Sequence, residues 1–210
     1  VYHILAGGAP NFSRQGITGI AGVLLNIVAA DFGESMIAAL TVSSRIAALA
    51  YMIMIGWGQG FQPICAMNYG AKQYDRVKKS LKLTVWIGTI FLLIASILLA
   101  ICAKPVTAVL SQDEEVIQLG VQILRLQCIS LPFLGFYAVS SMYMQNIGQY
   151  SRALWISVAR QGIFYLPLLF FLPAIGGRTG LFLVQPVADL LATAFAAHIL
   201  WKYLDVNDKI

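Results

Sequence analysis

The chain has 210 residues, of which 59% are hydrophobic and only 11% charged, with a formal net charge of +5. An ordinary soluble domain keeps roughly 25% of its residues charged, so the composition excludes a water-soluble globular protein and points to one solvated by lipid. The basic excess does not indicate nucleic acid, because no run of stacking aromatics accompanies the cations.

Crossing about 30 Å of hydrocarbon takes about 20 apolar residues at 1.5 Å rise each. Six stretches meet that length: residues 10–31, 35–67, 77–102, 116–145, 153–172 and 180–201. The sequence therefore predicts an all-α, six-helix membrane bundle forming one lobe over residues 1–210. Spans two and four exceed a single crossing, which calls for tilt, a bend or projecting ends.

Span one opens with Pro10, suited to a first helical turn, and stops at Asp31-Phe32-Gly33. Span two carries Arg45, then Gly56, Gly58, Gly60 and Pro63. Glycines four apart allow close helix approach, and proline removes a backbone donor. Gly56, Gly60 and Pro63 are thus hinge candidates, and Gln59 and Gln62, flanking the weakened stretch, are cavity candidates. Span three is leucine and isoleucine with few features and reads as lipid-facing. The connection after it holds Val106, Val109 and Leu110, which suit a short amphipathic turn in the interface. Span four places Gln118, Gln122 and Arg125 on one helical face, which should avoid lipid. Span five contains Arg160-Gln161-Gly162-Ile163, an echo of Arg14-Gln15-Gly16-Ile17 in span one and weak support for an internal repeat. Span six contains Gln185, Pro186 and Asp189.

Lys72, Arg76, Lys78, Lys79 and Lys82 follow span two, Arg152 follows span four, and Lys202 and Lys209 follow span six. The opposite connections hold Glu34, then Asp113, Glu114 and Glu115 with Lys104, then Arg178. Lysine and arginine are retained on the cytoplasmic side, so both termini of the lobe are expected in the cytoplasm and the lobe in the plasma (cytoplasmic) membrane. The chain begins at Val1 with no visible signal peptide, and is expected to be cut from something longer.

Arg45, Arg125, Arg160 and Asp189 fall within hydrocarbon depth, where each costs at least about 2.5 kcal/mol and seeks a partner or a cavity. Arg160 lies about 12 Å and Asp189 about 18 Å from the cytoplasmic end, so the two can meet. Two readings stay open: a structural ion pair locking two helices, or an Asp189 that takes up a proton or sodium ion during a cycle. Asn26, Gln122 and the other span amides serve interhelical hydrogen bonds or line a cavity. His3 and His198 are lone residues near interfaces, and Cys65, Cys102 and Cys128 lack metal-ligand or disulfide spacing. No metal site or cofactor is expected. Hydrolase, metalloprotease and nucleotide-loop motifs are absent, so no enzyme is expected and any work must draw on an ion gradient or another subunit.

These motifs, in this order, resemble the C-terminal half of a multidrug and toxic compound extrusion (MATE) family transporter. The resemblance is carried by Pro10, Phe12, Arg14, Gln15 and Gly16; by Gly58, Gln62, Pro63, Asn68, Tyr69, Gly70 and Ala71; by Gln145 and Gly148; by Arg160, Gln161, Gly162 and Pro167; and by Pro186, Ala188 and Asp189. It implies twelve helices in two six-helix lobes, alternating access driven by protons or sodium, and export of mostly cationic amphipathic compounds. The partners implied are an N-terminal lobe or a second copy, the bilayer and small organic substrates. Family members with acids in the seventh and tenth helices differ here, where only Asp31 stands at a helix end, so the coupling site is expected outside this chain. Arg45 and Arg125 keep a related lipid-linked saccharide flippase as an alternative, and a non-catalytic membrane assembly subunit is a second.

Overall fold

The computed structural model describes residues 2–207, with side chains described for residues 8–204. His3 and Lys209 therefore lie outside the described side chains. Among the described residues every regular element is helical. The elements are α1 (Tyr2–Ala30), α2 (Glu34–Gly70), α3 (Tyr74–Ile101), α4 (Ala103–Leu110), α5 (Glu114–Ser130), α6 (Phe133–Asn146), α7 (Tyr150–Val158), a π-helical turn (Ala159–Phe164) and α8 (Tyr165–Asn207).

The connections are short, so neighbouring spans run antiparallel and charge separates into a basic and an acidic end. Ser35 Oγ donates to Glu115 at 2.8 Å, tying the starts of α2 and α5 at the acidic end. At the basic end the Arg152 guanidinium lies 4.9 Å from the centre of the Tyr203 ring, joining the start of α7 to the end of α8.

Span four is two helices, α5 and α6, bent by 54° around Leu131 and Pro132. Pro132 lacks the N–H that a continuous helix needs there. Spans five and six share α8, whose path reverses at Gly177, with φ 54° and ψ −132°. That backbone region is essentially reserved for glycine. Gly180 then passes so close to the Leu172 carbonyl that a Cβ there would collide with it. Residues 103–110 form the short helix that the connection's amphipathic pattern suggests, with Ala103 and Thr107 buried and Val109 and Leu110 exposed. α3 exposes Leu83, Trp86, Ile90, Leu93, Ile94, Ile97 and Leu98 along its length, as a lipid-facing helix must.

Two expectations need correction. Pro10 does not open α1, which already begins at Tyr2 and carries Pro10 inside it. The break expected between Gly56 and Pro63 is also absent, since α2 is one 37-residue helix through that stretch. Nothing lies within 4 Å of a Cβ added at Gly56 or Gly60, and it is Gly58 between them that meets a neighbour, Met142 of α6. The irregular backbone lies instead at Leu131–Pro132, in the π-helical turn and at Gly177.

Two large apolar clusters make up most of the core. One, toward the basic end, gathers Met54, Phe61, Val77, Leu134, Ile156, Ala196 and Leu200. The other, toward the acidic end, gathers Ala29, Met36, Ile123, Leu169, Leu181 and Val184. Along α8 the chain passes from Ala188 in the second cluster to Ala192 in the first, with Asp189 between them. In the same way α5 places Gln127 and Ser130 between Ile123 and Leu131, and span five places Arg160 and Gln161 between Ile156 and Tyr165. The fold thus stacks a polar layer between two greasy ones.

Candidate functional site

Asp189 is 3% exposed, and its carboxylate is fully engaged. Oδ1 accepts from Arg160 Nε at 2.7 Å and from Gln185 Nε2 at 2.7 Å. Oδ2 accepts from Ser130 Oγ at 3.1 Å, with a second guanidinium nitrogen of Arg160 at 3.5 Å. The partners come from spans four, five and six, and Arg160 lies 29 residues from Asp189 in sequence. Gln185 reaches Asp189 because residues four apart share a helix face. A buried charge needs this completeness of hydrogen bonding to offset its desolvation. The Arg160 guanidinium also lies 5.1 Å from the centre of the Tyr51 ring on α2, an approach suited to a cation over an aromatic face.

The π-helical turn sets this geometry. Passing from i→i+4 to i→i+5 bonding leaves a carbonyl without its helical partner. Just before the turn Tyr137 of α6 bonds this backbone, its hydroxyl donating to Ile156 O at 2.8 Å with Ser157 O at 3.2 Å. Gly162 in the turn packs against Val158, whose Cγ1 would lie 3.0 Å from a Cβ there, and faces Ile17 of α1 at ordinary contact distance.

Arg160 and Asp189 face a cavity of about 490 Å³. Arg14, Gln15 and Thr18 of α1 line it, with Ser44 and Tyr51 of α2, Gln127 of α5, Tyr137 of α6, and Gln161 and Gln185. The amide oxygens of Gln127 and Gln161 are buried without a hydrogen-bond partner. A smaller hollow of about 60 Å³ adjoins it through Arg14, Tyr51 and Tyr137 and takes in Gln59, Gln62 and Asn11.

The site residues expected from sequence therefore divide. Arg160 and Asp189 meet, and Gln59 and Gln62 line the smaller hollow. Arg45, Asn26, Gln122 and Arg125 line neither space, and all four are exposed on the lobe. The reason is rotational: α5 packs through Val116, Ile117, Gly120, Ile123 and Leu124, which puts the stripe of Gln118, Gln122 and Arg125 on its outer face. Arg125 Nε donates to Ala100 O at 3.3 Å, among the carbonyls left open where α3 ends. Arg14, Tyr51, Gln127, Tyr137 and Gln161 were not singled out as site residues. The repeated Arg-Gln-Gly-Ile motif was the available signal for Arg14 and Gln161, and both copies face the same cavity.

A family model described as MatE matches residues 17–171, nearly three-quarters of the chain. The chain belongs to the MATE family. It is 27% identical over 199 residues to the multidrug export protein MepA of Staphylococcus aureus, covering 94% of this chain and 44% of MepA. MepA of Staphylococcus haemolyticus is 26% identical over 196 residues, covering 93% and 43%. A mutant of the Vibrio cholerae MATE transporter VcmN shares the fold at a TM-score of 0.88 and 24% identity, over 95% of this chain and 46% of that one. The MATE chain thus spans less than half the length of the curated relatives it matches, and it forms one half-length, all-helical membrane lobe.

Proposed function

We propose that this MATE lobe is half of a cation-coupled exporter of amphipathic organic compounds, working by alternating access against a second six-helix lobe. The observation that carries the reading is the mid-depth polar cavity, bordered by a buried ion pair and enclosed between two apolar layers. Such a layer is costly in a bilayer and suits a protein that holds a solute there. Arg45 and Arg125, which a saccharide flippase would turn toward phosphate, lie outside the cavity, so the exporter is favoured. The distribution of basic residues supports cytoplasmic termini and a plasma-membrane location.

Chains described as MATE in the straight and in the bent conformation match this lobe with TM-scores of 0.89 and 0.88, each at 19% identity. Equal likeness to both supports a lobe that moves as a body. Protons or sodium drive the cycle, and Asp189 either locks spans five and six or takes up the coupling ion. The test is ethidium efflux from cells that lack their own drug pumps and express the full-length protein. Efflux that stops when the proton or sodium gradient is collapsed is expected. Normal membrane levels of the protein with no gradient-dependent efflux would sink the proposal. Coupled efflux retained in Asp189→Asn would assign Asp189 to the structural role.

A further inference from the structure

We infer that Arg14 is the docking point for the acid group of an amphipathic organic acid, a substrate class that rests on the exporter reading. Three side chains of fixed charge line the large cavity: Arg14, Arg160 and Asp189. Asp189 is committed to Arg160. Arg14 makes no side-chain hydrogen bond or ion pair among the described residues. Within this lobe the cavity therefore presents one positive charge without a partner, against mostly apolar walls.

The repeat sharpens the contrast. Arg14 and Gln15 of one copy and Arg160 and Gln161 of the other line one cavity, and only the second arginine finds its carboxylate within this lobe. Arg14 is half-buried at the cavity wall, and the planar fork of its guanidinium matches a carboxylate or sulfonate.

A second observation defines the rest of the ligand. Gln127 is 6% exposed, and its amide oxygen, like that of Gln161, is buried without a donor. An unpartnered buried acceptor calls for an N–H or O–H. The cavity's 490 Å³ lies within the range of drug-sized pockets. The ligand is thus an aromatic or aliphatic acid that carries an N–H or O–H donor close to its acid group.

The test uses the full-length protein in nanodiscs and two fluorescent probes, dansylglycine and its neutral amide, dansylglycinamide. Both share the ring system and the sulfonamide N–H. The wild type is expected to bind the acid about tenfold or more tighter than the amide. Arg14→Gln should remove that preference, and Gln127→Leu should weaken both probes. Arg14→Lys keeps the charge and loses the fork, so it should reduce the preference without removing it, and it decides the matter if the glutamine variant does not fold. Equal binding of the two probes by the wild type would overturn the inference, as would an acid preference unchanged in Arg14→Gln or Arg14→Lys. Ethidium efflux separates the two readings. Efflux without acid preference removes this subsite and keeps the exporter, whereas acid preference without any efflux does the reverse.

Discussion

The Asp189 carboxylate illustrates what a single charge requires at mid-depth: two donors on each oxygen, supplied by three side chains. Removing one member of a buried pair strands the other and costs about 3–5 kcal/mol, while replacing both with apolar groups is often close to neutral. Asp189→Asn is therefore expected to lower the thermal midpoint in detergent sharply, and Arg160→Met with Asp189→Leu to recover most of it; an equally stable Asp189→Asn would show that the pair does not hold the helices. Glycines sort by what stands opposite them. A Cβ at Gly135 would lie 3.1 Å from Thr89 N and 3.2 Å from Gly88 C, both backbone atoms that cannot swing aside. Gly135→Ala should cost about 1–3 kcal/mol. Gly88→Ala meets only the flexible Met54 side chain and should cost less, as chemical denaturation in micelles would measure. The ion pair was legible in sequence because two opposite charges at matching depth in neighbouring spans have few other partners. Arg45, Arg125, Asn26 and Gln122 gave the same signal and lie exposed on the lobe, outside its two hollows. In a membrane protein the lipid-facing side is as apolar as the packed side, so periodicity does not reveal which way a polar stripe turns.

Elements were legible where length decides and illegible where hydrogen-bond register decides. Apolar runs located the long helices α2 and α3 and the short α4, because a helix that crosses lipid must satisfy its own backbone over that distance. The π-helical turn at Ala159–Phe164 carries no compositional mark, and α2 runs through Gly56–Pro63 where residue types suggested a break. The reversal at Gly177 is the tightest constraint on any element. Gly177→Ala forces a side chain into φ 54°, ψ −132°, and is expected to cost about 1–3 kcal/mol. Gly180→Ala drives a methyl group into the Leu172 carbonyl, and its hairpin should open to limited proteolysis near residue 177. Gly60→Ala is predicted to act in the opposite direction, since the new methyl meets nothing and alanine favours a helix over glycine by about 0.5–1 kcal/mol. If α2 flexes there during transport, efflux slows as the thermal midpoint rises. Unchanged efflux would remove the hinge.

Taken together, the described residues form one half-length, all-helical lobe whose cavity wall and exposed α3 face are expected to differ in their access to water. In a full-length protein whose exposed Cys102 and buried Cys65 and Cys128 are first replaced, Thr18→Cys on the cavity wall should react with a membrane-impermeant thiol reagent. Ile97→Cys on the exposed face of α3 should remain unlabelled in the bilayer, and labelling of both or neither would contradict the assignment of wet and dry faces. The all-helical class was legible at this scale because lipid imposes it. The layering was not, because it depends on which residues of different spans reach the same depth, and only the folded chain aligns Ser130, Arg160 and Asp189. Their contact also bears on how the protein is made. Arg160 and Asp189 belong to consecutive spans that reverse at Gly177, and a charged residue at a helix centre raises the insertion cost by about 2.5–3.5 kcal/mol. A ribosome delivering span five alone would present lipid with a naked guanidinium. Passage out of the translocon is cheapest when the two segments leave as a hairpin with their charges already joined, so the last third of the chain has a built-in order of membrane entry.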